Sequence, residues 1–419
     1  MRGGPGQSEP GQGGAEESRP GQGVRLLFFC EAVTLAHVAR PLALARSLDP
    51  GPYDVHIACD PRYDAIFPDG SYRRHPLTSI SGQQFLRALA KGSPLYDAET
   101  LRTYVKADLE LISAVEPDVV IGDFRLSLAI SARLAKVPYA TITNAYWSPF
   151  AEPSYRVPDL PFARVLGPGL GQLLFNAVRP LAFALHTRPL NRVRREHGLK
   201  DLGFNLGETY TNADLTLYSD VPELIPTRPL PAHHQYIGSL SWQPEIPKPP
   251  WWDNIPQDRP AVYVTLGSTG AAELLPRILE ILAPMPVTVL AATAERVKLG
   301  SVPENAFVAD FLPGSDAAQR ASLVICNGGS PTTTQALQAG VPVIGIASNL
   351  DQHLNMSYIE RRGAGLTLRA ERHRDSALVE AVNRLLRERA YREQAAAVKA
   401  QMEIYRPERL FPELIASLI

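Results

Sequence analysis

The chain has 419 residues, enough for two domains of ordinary size, and 45% of them are hydrophobic, which suits globular cores. Lys and Arg total 42 against 43 for Asp and Glu, so no global excess of positive charge gathers nucleic acid or anionic lipid. Any anion is bound locally.

Residues 1–23 are rich in Gly, Pro, Gln and Glu and read as a disordered tail, since they have neither the basic start nor the apolar core of a signal peptide. From Val24 onward, apolar runs at 24–30, 55–59, 118–123, 139–143 and 215–219 alternate with helical patterns that include 37–48 and 126–136. Near-continuous apolar strands separated by helices predict a parallel sheet covered on both faces, here a first domain over 24–220. The apolar stretch 170–186 carries Arg179 and Pro180 in its middle. It reads as a helix packed on protein, with peripheral contact at a membrane surface as the lesser reading. The proline-rich segment 221–260 lacks periodicity and is assigned as a linker. A second alternation, at 261–267, 286–293, 305–310, 322–327 and 341–347, predicts a second parallel α/β domain over 261–405, and a helix within 406–419 would cross back onto the first half. Cys30, Cys59 and Cys326 lie far apart at the ends of apolar runs, without metal-ligand spacing, and read as buried thiols of a reducing, cytoplasmic compartment.

Neither half carries a dinucleotide fingerprint. The first strand runs into CEAVTLAH, which has no glycine, and GSTGAA (267–272) has the wrong spacing, which argues against NAD or FAD. The strongest chemical signal is 326–355. There an apolar strand enters a turn of Asn327, Gly328 and Gly329, and Ser330 and Pro331 stand where an N-cap and first helical residue belong. Unpaired N–H groups and the positive end of a helix dipole favour an anion at such a turn.

The segment GGSPTTTQALQAGVPVIGIASNLDQHLN resembles the donor signature of the inverting family 1 nucleotide-sugar glycosyltransferases, in the order and spacing of its Gly-Gly turn, its Ala-Leu-x-x-Gly-Val-Pro and its closing Asp-Gln. The resemblance runs from about Val24 to the C-terminus. It implies the GT-B fold, two Rossmann-like domains facing a cleft, and a UDP-sugar or dTDP-sugar donor, with UDP favoured. It also implies a small hydrophobic acceptor; no Asp-x-Asp metal motif accompanies these residues, so neither a cofactor nor an obligatory metal is expected. By the same resemblance Asn327, Gly328, Gly329, Ser330, Thr332 and Thr333 would hold the diphosphate. Asp351 and Gln352 would bind sugar hydroxyls, Ser268 and Thr269 in TLGST would face the diphosphate, and Phe311 and Leu312 would lie beside the base. In VTLAHVARP the family's Gly-His-x-x-x-Pro is nearly met, with Ala36 in place of Gly, and the resemblance implies His37 as the general base with Asp123 as its partner. Tyr146 and Trp147, in an aromatic, proline-punctuated segment, are acceptor-side candidates.

Two residues depart from the pattern. Asn327 replaces the usual His and carries no titratable positive charge, and Pro331 replaces a Gly and removes one N–H. At about 1 kcal/mol for a neutral contact, each loss would weaken the donor several-fold to tenfold. Two rival readings follow: a UDP-N-acetylglucosamine 2-epimerase-like enzyme on the same fold, and a non-catalytic sugar-nucleotide-binding protein.

Overall fold

A computed structural model describes residues 23–49, 51–67, 70, 72–243, 245–371 and 374–419. All but the last residue of the expected tail therefore lies outside the described residues. Strands β1 (Val24–Cys30), β2 (Tyr53–Cys59), β3 (Arg73–Pro76), β4 (Val119–Asp123), β5 (Tyr139–Thr143), β6 (Leu215–Tyr218) and β7 (His234–Tyr236) form one all-parallel sheet in the order β3-β2-β1-β4-β5-β6-β7. Helices α1 (Ala36–Arg46), α2 (Gly82–Lys91), α3 (Ala98–Val115), α4 (Leu128–Ala135), α5 (Pro161–Glu196) and α6 (Leu206–Tyr210) connect these strands.

Strands β8 (Ala261–Thr265), β9 (Thr288–Ala292), β10 (Ala306–Ala309), β11 (Leu323–Cys326), β12 (Val343–Ala347) and β13 (Gly365–Arg369) form a second parallel sheet, β10-β9-β8-β11-β12-β13. Around it lie α7 (Leu275–Leu282), α8 (Gly314–Arg320), α9 (Ser330–Gln338), α10 (Leu350–Arg361), α11 (Asp375–Arg387) and α12 (Arg389–Ile404). The central strands β1, β4, β8, β9 and β11 are Val/Ile/Leu-rich and buried on both faces, as sheets covered by helices require. The two doubly wound domains make up the GT-B architecture.

The structure departs from the sequence reading in three places. The segment assigned as a linker contains β7, which adds to the edge of the first sheet, so the chain leaves that sheet only after Tyr236. An edge strand of three residues, HQY, has no apolar run to announce it. Helix α9 is capped by Gly329 rather than by Ser330, which is already inside the helix with its hydroxyl turned elsewhere. Finally, the stretch 170–186 packs only one face on protein, through Phe175, and leaves most of its leucines outward. Leu170, Leu173 and Leu181 are 60–68% exposed.

Helix α13 (Pro407–Ala416) lies against the first domain, where Phe411 meets Phe28 at a centroid distance of 6.1 Å. Phe411 and Ile415 share a core with Leu26, Phe28 and Leu42.

Candidate functional site

In each sheet the strand order reverses beside the first strand, between β1 and β4 and between β8 and β11. At such switch points the loops leaving the carboxyl ends diverge and open a crevice. Cys30 lies opposite Asp123 in one sheet, and Cys326 opposite Thr265 in the other. The loops that follow these residues carry the candidate chemistry.

On the first sheet His37 sits one residue into α1, and its Nδ1 lies 2.8 Å from Asp123 Oδ1. The Asp123 carboxylate is fully buried, whereas the imidazole is 17% exposed. Asp123 also takes both arms of Arg40, from Nε at 2.7 Å and from Nη2 at 2.7 Å. Burial pushes this carboxyl up, but the Arg40 charge, followed by His37, outweighs it and holds Asp123 below the ordinary carboxylate value. The imidazole lies flat on Phe124, with centroids 4.6 Å apart, and Phe124 is held at φ 60°, a conformation rare for a bulky residue. Sequence reasoning missed Arg40, which is three residues beyond His37 and so on the same face of α1. It also missed Phe124.

The contacts continue across the cleft. Arg40 Nη1 donates to Asn144 Oδ1 at 2.7 Å, and Asn144 Nδ2 lies 3.3 Å from Ser330 Oγ in the second domain. Asp220 fixes this loop by accepting from Ala145 N at 2.6 Å and Asn144 Nδ2 at 3.2 Å, and burial pushes its carboxyl up to about 7. Asn144 and Asp220 were also missed. The signal was present, since each follows the end of an apolar strand as Asp123 does. Tyr146 and Trp147 both donate to Asp351 Oδ1, at 3.0 and 2.9 Å. The two aromatics expected on the acceptor side therefore stand against the expected sugar carboxylate.

On the second sheet Asn327 folds back into its own turn. Its Oδ1 accepts from Gly329 N at 3.0 Å and its Nδ2 donates to Thr269 Oγ1 at 3.2 Å. One N–H of the expected cradle is thus held by this side chain. Gly328 has φ 79°, and a Cβ there would meet Met356 Cγ at 2.7 Å, so the turn itself demands glycine. Thr333 faces inward, bonded to Gly329 O and Ser330 O and to Asn355 Nδ2. It braces the helix start and is 2% exposed, whereas Ser330 and Thr332 are half-buried.

Ser268 is exposed and Thr269 half-buried on the loop after β8, which Arg296 clamps through Gly267 O at 2.9 Å and Gly270 O at 2.8 Å. Phe311 is 47% exposed while Leu312 is buried. Gln352 spends its carbonyl on Ser348 N and Asn349 N as half of a capping box with Asn349. Its Nε2 is buried without a partner, an orphan donor that a polar ligand would satisfy. Among the described residues no three His, Cys, Asp or Glu side chains converge in a metal-binding group. All three cysteines are buried and free.

Residues 276–416 match the family model described as Erythromycin biosynthesis protein CIII-like, C-terminal domain. A "PGL/p-HBAD biosynthesis rhamnosyltransferase" of Mycobacterium bovis (strain BCG / Pasteur 1173P2) is 53% identical over 372 residues, covering 89% of this chain and 83% of that protein. From the same organism, an "Inactive PGL/p-HBAD biosynthesis glycosyltransferase" is 48% identical over 258 residues, covering 62% of this chain and 70% of its own length. Among solved structures, spinosyn rhamnosyltransferase SpnG complexed with thymidine diphosphate superposes with a TM-score of 0.67 at 19% identity, over 94% of this chain and 100% of that one.

Proposed function

Because this chain belongs to the bacterial family 1 natural-product glycosyltransferases, we propose that it moves a sugar from a pyrimidine nucleoside diphosphate, with inversion, onto a hydroxyl of a small lipophilic acceptor. A thymidine diphosphate deoxyhexose such as rhamnose now stands ahead of a UDP-sugar as donor. The similar M. bovis protein carries the name rhamnosyltransferase, and SpnG was solved with thymidine diphosphate.

One observation carries the reading. A continuous chain of polar contacts runs from His37 through Asp123, Arg40 and Asn144 to Ser330 at the start of α9, and it joins the base of one domain to the anion-binding turn of the other. With Nδ1–H held by Asp123, the free Nε2 of His37 takes the acceptor hydroxyl's proton as that oxygen bonds to the anomeric carbon. The bond from that carbon to the diphosphate oxygen breaks on the opposite face, and its electron pair leaves with the diphosphate. Inversion follows. The imidazolium formed is stabilised by Asp123, but less than by a carboxylate of its own, because Arg40 shares both oxygens.

The leaving charge is met by the N-terminus of α9 and the hydroxyls of Ser330, Thr332 and Ser268, so turnover should survive a metal chelator. The sugar would reach the Asp351 carboxylate and the orphan Nε2 of Gln352. The relative named inactive, together with Asn327 and Pro331, favours one rival, a chain that binds a sugar nucleotide and transfers nothing.

Turnover with dTDP-rhamnose and UDP-sugars against a panel of lipophilic phenols and alcohols separates the two readings, with the anomeric configuration of the product read by NMR. Inverted glycoside is the expected outcome. Retained configuration contradicts the mechanism, and nucleotide binding without glycoside across the panel supports the rival.

A further inference from the structure

Helix α5 is kinked at Gly167, whose φ of 79° and ψ of 165° are not helical, and beyond that residue its backbone keeps helical angles past Leu185. Its inner face is accounted for, since Phe175 and Ala163 pack on Val157 and Leu350, and Leu190 and Val193 join the core under α3. Its outer face is not. Leu170, Leu173, Leu174, Val178, Leu181 and Leu185 are 38–68% exposed. Their spacings of three, one, four, three and four residues put them on a single stripe. At 1.5 Å per residue the stripe is about 23 Å long, more than a small acceptor could cover. The same stripe continues through exposed Arg188, Arg192 and Arg195, and no acidic residue lies between Pro161 and Arg195.

The geometry points to α5 as a docking surface for an anionic lipid bilayer, with the leucine stripe in the headgroup–acyl boundary and the arginines of the last turns on lipid phosphates. A large apolar face with arginine as its only full charge is the pattern of a helix lying in a membrane interface. Arg192 and Arg195 pair with Glu196 and Asp201 at the surface, at 3.4 and 2.6 Å, and such exposed pairs exchange readily for phosphate. A second copy of the chain suits this face less well. Parallel pairing would set arginines on arginines, and antiparallel pairing would lay them over the partner's Arg164–Asp159 pair, which offers no net charge to meet them. No described helix is long and apolar enough to cross a membrane, so the contact is peripheral. Its purpose rests on the lipophilic-acceptor reading, because a protein seated on the bilayer can meet an acceptor dissolved in it. The binding itself does not rest on that reading.

Co-sedimentation with vesicles tests this without any turnover. The full chain should bind phosphatidylcholine vesicles containing about a third phosphatidylglycerol at least tenfold more tightly than phosphatidylcholine alone, and lose that preference in high salt. The variant Leu170→Gln/Leu173→Gln/Leu181→Gln should lose vesicle binding while keeping its thermal unfolding and its affinity for thymidine diphosphate. Three results would each overturn the proposal: no binding to either vesicle, equal binding by the triple variant, or a wild-type dimer in sedimentation velocity that the triple variant converts to monomer.

Discussion

Asp123 ends β4 and Arg125 follows two residues later, and each anchors a buried cluster of carboxylate and guanidinium, yet only one cluster touches the cleft. Arg125 is 1% exposed. It bonds Glu31 Oε2 at 2.8 Å and Asp108 Oδ1 at 2.9 Å, and it lies over the Tyr104 ring at 3.6 Å. Asp108 is closed off further by Ser127 at 2.5 Å. The Asp123 cluster has the same ingredients but ends in an imidazole with one free nitrogen. Burial of charge alone therefore does not single out a candidate for catalysis. What distinguishes the second cluster is an incomplete set of partners at the carboxyl end of a switch-point strand. The two clusters are neighbours through the backbone, since Phe124, at φ 60° and stacked on His37, stands between Asp123 and Arg125.

Substitution should separate the two roles. Arg125→Met leaves Glu31 and Asp108 as buried carboxylates with no cation, and should cost about 3–5 kcal/mol in chemical denaturation. If the cluster is structural, nucleotide affinity per folded molecule stays near wild type in that variant.

Asp220 supplies a pH test. Its carboxyl sits near 7 when folded and near the ordinary 3.8 when unfolded, so between those values the folded chain binds the extra proton. Stability from this group is greatest below about 4 and is lost as pH rises through about 7. Asp220→Asn should flatten the unfolding free energy across that window, and an unchanged slope would remove Asp220 from the account.

Asp351→Asn keeps an acceptor for Tyr146 and Trp147 but removes the charge, and should raise the donor KM about tenfold, equivalent to about 1.4 kcal/mol, with a smaller change in kcat. Asn327→His restores the usual residue of the family and releases Gly329 N–H toward the diphosphate, which should tighten thymidine diphosphate binding by about three- to tenfold in calorimetry.

How much was legible follows from the same physics. The buried central strands declared themselves by apolar runs, to within two residues at each end, from 24–30 to 341–347. The strands that escaped, β3, β7 and β13, are all sheet edges, where RRHP, HQY and GLTLR need little apolar content. At the site, His37 came from a spaced pattern and Asp123 from the end of an apolar run matched to the family, and the two lie within hydrogen-bond distance. Arg40 lies outside any such pattern, and Asn144 and Asp220 follow apolar runs as Asp123 ends one, but which strand ends meet is set by the topology and not by the runs themselves. Thr333 shows the converse: a motif residue whose side chain the fold turned inward. The outward face of α5 was misjudged because apolar periodicity gives a stripe and does not say what covers it.

The central claim is that the open cluster carries the proton and the donor half works without it. The most direct measurement is turnover by His37→Ala, with thymidine diphosphate affinity determined on the same folded sample. Turnover reduced by about 10²–10⁴-fold at unchanged nucleotide affinity is the expected result. Turnover within a few-fold of wild type would contradict the assignment of His37 as the base.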